Sequence, residues 1–232
     1  MQILLLHGSW HGAWCWDRLM PLLESRGHTV WAPSLVGLGE REGEASPETG
    51  LSTHVDQIAR LIETEDLDEL VVVGHSYAGL LMVALAERVA ERIRHFVYFD
   101  ALIPRNNQSA FDLMPGVEES FRKRMREAGS DCLVPPLSPE VMGVTAPGDV
   151  AWMLRRLTPM PIRTHLEKVV APDDKAAAIP SSYIRCLQFS LGAKYAAWAK
   201  SQGWPVFEID TGHDAMLTEP EVLADRNVSA VS

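Results

Sequence analysis

Leu70-Val71-Val72-Val73-Gly74-His75-Ser76-Tyr77-Ala78-Gly79-Leu80-Leu81 passes from one apolar run, through a turn, into a second apolar run. The first run is rich in valine and shows no polar alternation, which predicts a strand buried on both faces. The second continues through Met82-Val83-Ala84-Leu85-Ala86 and predicts an apolar helix beginning just after Ser76. So abrupt a passage from strand to helix holds the intervening serine in a strained turn at the carboxyl edge of a sheet, where small residues two positions to either side relieve crowding. Gly74 and Ala78 are those residues; alanine stands where the second glycine is usual, and Gly79 follows one place later. A serine N-cap would explain the helix start by itself. A nucleophile needs, in addition, a base and an oxyanion site elsewhere in the chain.

Outward from this stretch, apolar runs recur at Ile3 to Leu6, Thr29 to Ala32, Phe96 to Phe99, Ser182 to Cys186 and Val206 to Ile209. Between them Trp16 to Ser25, Ser52 to Glu65, Tyr77 to Arg92 and Ala193 to Gln202 carry apolar residues at helical spacing, with Ser52 or Thr53 placed to cap the second. The alternation predicts an α/β chain: a mostly parallel, doubly wound six-stranded sheet with helices on both faces, in one domain over residues 1–232. The rhythm breaks over residues 104–179, where Met114, Met142, Trp152, Met153, Leu154 and Met160 are interspersed with prolines and charges. An excursion of that length predicts a helical cap inserted over the site.

His7-Gly8-Ser9-Trp10-His11-Gly12-Ala13-Trp14 follows the first strand as a glycine-rich loop. Its backbone can approach a reacting carbonyl, and the amides of Ser9 and of Tyr77, the residue after Ser76, are the candidate oxyanion donors. His7 and His11 share a spacing that suits a metal pair only on a helix; the flanking Gly8 and Gly12 and the lack of a third ligand favour a loop-holding role, and no metal is expected. After the last strand, Ile209-Asp210-Thr211-Gly212-His213-Asp214 places His213 beyond the sheet edge. Its imidazole is the candidate general base. His28, His54, His95 and His165 lack that setting and are expected on the surface or satisfied in the core.

Hydrophobic residues make up 47% and charged residues 22% of the 232, ordinary values for a folded globular chain. The 21 Lys and Arg against 31 Asp and Glu give a net charge of -10, which disfavours nucleic acid and anionic lipid as partners. The apolar run before His7 is too short for a secretory core, and no stretch approaches the roughly 20 apolar residues of a membrane span. Cys15, Cys132 and Cys186 are odd in number and widely spaced, which predicts free thiols and a cytoplasmic location.

Together, Leu6 to Trp14, Gly74 to Gly79 and Gly212-His213-Asp214-Ala215-Met216 resemble the small esterases of the hydroxynitrile lyase and plant methylesterase branch of the α/β-hydrolase superfamily, bacterial pyrethroid hydrolase-like esterases included. That resemblance spans most of the chain and implies a serine carboxylesterase without cofactor. The Met and Trp content of the cap, with Trp10 beside the oxyanion loop, predicts an apolar pocket that includes Trp10 and Trp152 and therefore a small, largely apolar ester; a homodimer is the one protein assembly left open. In that branch the triad acid usually follows the penultimate strand, yet Leu187-Gln188-Phe189-Ser190 holds no carboxylate. Asp100, at the carboxyl end of the strand after the nucleophile helix, lies one strand spacing of about 4.8 Å away and is the expected acid. Some members, similar to haloalkane dehalogenases, carry their acid there; Asp210 and Asp214 rank below it. A lyase is disfavoured because those enzymes resemble one another in a threonine at the position of Gly8 and a lysine at that of Asp214. Lactonase or C–C hydrolase chemistry, and a non-catalytic small-molecule receptor, remain as alternatives.

Overall fold

Side chains of a strand point alternately to opposite faces, so a wholly apolar strand needs a core on each side. The computed structural model, which describes residues 1–230, supplies two. Its strands are β1 (Gln2–Leu6), β2 (Thr29–Trp31), β3 (Leu70–His75), β4 (Ile93–Phe99), β5 (Leu133–Val134), β6 (Met160–Pro161), β7 (Ser181–Cys186) and β8 (Val206–Ile209). Leu4, Leu6, Val72, Phe96 and Tyr98 enter one core, while Ile3, Leu5, Val71, Val73, Val97 and Phe99 enter the other. Six strands form one sheet in the order β2-β1-β3-β4-β7-β8, and every neighbouring pair is parallel.

The helices are α1 (Met20–Glu24), α2 (Leu51–Thr64), α3 (Ala78–Val89), α4 (Ala110–Leu113), α5 (Val117–Glu127), α6 (Pro147–Leu154), α7 (Arg163–Leu166), α8 (Gly192–Ser201), α9 (Ala215–Thr218) and α10 (Pro220–Ser229). The helix expected from Trp16 is shorter: a 3-10 turn at Ala13–Trp16 precedes α1, whose first turn contains Pro21. Proline lacks the amide hydrogen an interior position would donate, so it starts a helix rather than continuing one. Nor do the expected hydroxyls cap α2 at its N-cap. Gly50 holds that position, the Thr53 hydroxyl accepts the Gly50 N–H, and the Glu167 carboxylate accepts from both the amide and the hydroxyl of Ser52. An anion there complements the positive end of the helix.

Between β4 and β7 the chain leaves the sheet, forming α4 to α7 and the two-stranded antiparallel β5–β6 pair. Phe121 and Met125, one helical turn apart in the charge-rich α5, are buried, and Trp10 packs on Phe121 with ring centroids 5.4 Å apart. Further bonds tie the excursion to the β1 loop: the Trp10 indole N–H donates to the Val134 carbonyl at 3.0 Å and the Thr158 amide donates to the Trp10 carbonyl at 3.0 Å.

Candidate active site

Four carboxyl ends of parallel strands converge on one rim. The loop after β1 carries Ser9, β3 ends into Ser76, β4 into Asp100, and β8 leads to His213. Chain direction across the sheet reverses between β1 and β3, the position where open α/β sheets form a crevice. Here that crevice is a cavity of about 580 Å³, within the range of small-molecule sites, and Ser9, Trp10, Ser76, Tyr77 and His213 all line it.

Ser76 has φ of +56°, the left-handed region that a side-chain-bearing residue enters at a cost, and Asp100 has φ of +43°. Backbone bonds hold both. The Ser76 amide donates to the Phe99 carbonyl at 3.2 Å, the Ser76 carbonyl accepts from Leu102 at 3.0 Å, and the Asp100 amide donates to the Ile184 carbonyl at 2.7 Å. Gly79 lets α3 lie against the loop after β4, since a Cβ there would overlap the Leu102 carbonyl oxygen.

The His213 Nδ1–H donates to Asp100 Oδ2 at 2.6 Å, and Asp100 Oδ1 accepts the Cys186 amide at 3.2 Å. Asp100 is fully buried, while His213 is 5% exposed, its ring stacked on Phe189 at 4.2 Å and tilted against His75 at 4.3 Å between centroids. The loop after β7, which lacks an acid, thus supplies an aromatic face to the imidazole. Asp210 and Asp214 turn elsewhere: Asp210 Oδ1 accepts from Gln188, and Asp214 Oδ2 from His11. Gly192, at the start of α8, leaves the space that Asp100 Oδ1 occupies, because a Cβ there would overlap that oxygen. Gly192→Ala is therefore expected to displace the carboxylate and reduce kcat at least about tenfold in a folded protein; unchanged kcat would show that the Asp100 position does not matter to turnover.

Neither the Ser9 nor the Tyr77 amide donates to a protein acceptor among the described residues, and Tyr77 sits at the amino end of α3, where the helix dipole favours negative charge. The loop is held by its histidines. His7 Nδ1 lies 2.8 Å from the Gly8 carbonyl and its Nε2 accepts the Leu35 amide at 3.0 Å. His11 bonds the Ser9 carbonyl at 2.7 Å through Nδ1 and Asp214 Oδ2 at 3.0 Å through Nε2. Two acceptors call for two donors, so the pair holds a proton. Burial by itself lowers the His11 pKa, but the adjoining Asp214 carboxylate outweighs it and the net pKa lies above the ordinary value. His11 thus links the loop of Ser9 to the loop of His213. His75 is neutral, its pKa lowered well below the ordinary value by burial and then by the charges of His213 and His11, and its Nε2–H donates to the His213 carbonyl at 3.1 Å.

One expected pocket residue lies elsewhere. Trp152 does not line the cavity; it meets Trp14 edge-on at 5.2 Å, with the Arg156 guanidinium 4.3 Å and that of Arg18 5.7 Å from its ring. Its neighbour Met153 fills the α6 position that faces the core, which turns Trp152 toward the outer cations. Met114 and Met142 do line the cavity, joined by Leu102, Phe121, Phe189 and His165, none of which stands out in the sequence as a cavity residue. Phe121 carries the one visible signal, an aromatic with Met125 at i+4 in a run of charges.

Residues 3–226 match the model of the alpha/beta hydrolase family. A carbendazim hydrolyzing esterase of Nocardioides sp. (strain SG-4G) is 31% identical over 97% of this chain and 97% of its own length. Methylesterase 1 of Arabidopsis thaliana is 35% identical over 47% of this chain and 42% of that protein. Among solved structures, an extracellular alpha/beta-hydrolase from a Paenibacillus species superposes with a TM-score of 0.88 at 24% identity, covering 99% of this chain and 98% of that one. With the family model matched almost end to end and the six-stranded parallel sheet beneath it, the chain belongs to the alpha/beta hydrolase family.

Proposed function

We propose that this chain is a serine esterase that hydrolyses a small, largely apolar carboxylic ester through an acyl-enzyme on Ser76. In this reading His213 Nε2 takes the Ser76 proton as Oγ attacks the carbonyl carbon, and the Ser9 and Tyr77 amides hold the resulting oxyanion. The imidazolium returns that proton to the departing alkoxide. Water then attacks the acyl-enzyme by the same route in reverse, releasing the acid and restoring Ser76. Asp100 keeps the proton of His213 on Nδ1, leaving Nε2 free to accept. The observation that carries the proposal is the 2.6 Å bond from His213 to a buried Asp100 behind a cavity that both Ser76 and His213 line. The carbendazim esterase, alike over nearly its whole length, supports the same class of reaction.

A hydroxynitrile lyase fits less well, because a Cβ at Gly8 would come 2.9 Å from the Ser76 Cβ, leaving no room for threonine. The free thiols Cys15, Cys132 and Cys186 support a reducing compartment such as the cytoplasm, and among the described residues no helix is long and apolar enough to cross a membrane. Catalysis is separated from receptor-type binding by a short-chain p-nitrophenyl ester. Many turnovers per chain, following an initial burst, are expected; release limited to one equivalent would favour the receptor.

A further inference from the structure

His165, on α7 of the excursion between β4 and β7, is buried and faces the cavity, where its Nε2 lies 3.1 Å from the Ser9 hydroxyl. On the other side of the ring Nδ1 lies 2.8 Å from the Thr164 hydroxyl, which in turn is 2.8 Å from the Pro161 carbonyl. Burial pushes the His165 pKa down to about 3, so the ring is neutral near pH 7 and carries one N–H. A carbonyl only accepts, and a hydroxyl has one proton to donate. With a neutral ring, one proton placement alone makes all three contacts hydrogen bonds: Thr164 donates to Pro161, His165 Nδ1–H donates to Thr164, and Ser9 O–H donates to His165 Nε2.

The Ser9 hydroxyl proton therefore points at the cap, and the lone pairs of Oγ remain for the cavity. Around them the wall is largely apolar, built from Trp10, Leu102, Met114, Phe121 and Met142. The polar side chains on the far wall are Ser190 and Lys194, and Lys194 is exposed and donates to the Leu113 carbonyl. An acceptor lone pair beside a developing oxyanion is unfavourable unless a donor lies between them. Because the amide and the hydroxyl belong to one residue, that donor must sit next to the reacting carbonyl.

We infer that Ser9 Oγ acts as a hydrogen-bond acceptor for the substrate, so that this site selects esters with a donor close to the carbonyl carbon, either an N–H bonded to it or an O–H on the carbon bonded to it: carbamates and α-hydroxy esters. The inference rests on the proposed esterase activity and names its substrate class. Ser9 would contribute to catalysis through its amide and to specificity through its hydroxyl.

The test compares kcat/KM for two matched pairs, methyl mandelate against methyl α-methoxyphenylacetate, and methyl N-phenylcarbamate against methyl N-methyl-N-phenylcarbamate, with methyl phenylacetate as reference. Intrinsic reactivity cancels when each donor-to-blocked ratio is compared between wild type and Ser9→Ala. The ratio is expected to fall about three- to tenfold in the variant, the span of one hydrogen bond between neutral groups; a fall in one pair alone supports the inference and assigns the donor. Thr164→Val, which removes the acceptor for Nδ1–H, frees the ring to donate from Nε2 and the Ser9 O–H to enter the cavity, so the ratio should fall there too. Ratios within twofold of wild type in both variants, while methyl phenylacetate is hydrolysed, would overturn this inference and leave the esterase proposal standing. Failure of the wild type to hydrolyse any of the five esters would remove the inference, and failure on the p-nitrophenyl ester as well would remove the esterase proposal with it.

Discussion

Asp100→Asn is expected to lower kcat about ten-thousand-fold while leaving the protein folded, the loss seen when other triads keep their geometry but hold the histidine in the wrong tautomer. The local bonds explain why. Asparagine Oδ1 can still accept the Cys186 amide, so the β4 end keeps one of its two anchors. Its NH2 group then faces His213 Nδ1 and donates to it, which moves the ring proton to Nε2, the nitrogen that must be bare to deprotonate Ser76. KM should change far less than kcat, because Asp100 lies behind the imidazole and does not line the cavity. Near-wild-type kcat in a folded Asp100→Asn protein would remove Asp100 from the triad.

Stability is expected to collapse on mild acidification. His7, His54 and His165 are buried, and burial pushes their pKa values to about 3, about 4 and about 3, while that of His75 also lies well below the ordinary 6.5. Below pH 6.5 the unfolded chain takes up a proton on each of the four and the native fold does not. Their contribution is therefore complete above 6.5 and is lost as pH falls toward the native values, at up to about 1.4 kcal/mol per pH unit for each group. Moving from pH 7.5 to 5.5 should cost several kcal/mol, a large share of the roughly 5–15 kcal/mol that holds a domain. His11 has the opposite sign: its raised pKa contributes stability present below 6.5 and lost as pH rises through the native value, so on the acid side it offsets part of the loss from the other four. Thermal melts at the two pH values should differ by on the order of 10 °C; coincident melts would mean that the four rings become protonated within the native fold.

The sheet was legible because its central strands β1 and β3 are buried on both faces and read as apolar runs; residues that follow such runs stand at the rim, which is why Ser76, Asp100 and His213 were the candidates, and the structure brings Ser76 and His213 to one cavity with Asp100 bonded behind His213. The Asp100 side chain reaches His213 across β7, whose own loop offers Phe189 as a stacking face, and nothing local in the sequence distinguishes that phenylalanine from a core residue. The excursion between β4 and β7 was legible as a break in rhythm but not as a surface. Trp152 and Met114 look equally suited to a pocket wall, and only the packing of Met153 in the core turns Trp152 outward. His165 carries no sequence signal of its role, since its partner Ser9 lies 156 residues away.

Intact-mass and peptide mass spectrometry after reaction with an organophosphate reports most directly on the nucleophile. One phosphoryl adduct per chain, located on Ser76 and absent from Ser76→Ala, is the predicted result. An adduct on another residue, or equal labelling of the Ser76→Ala protein, would contradict it.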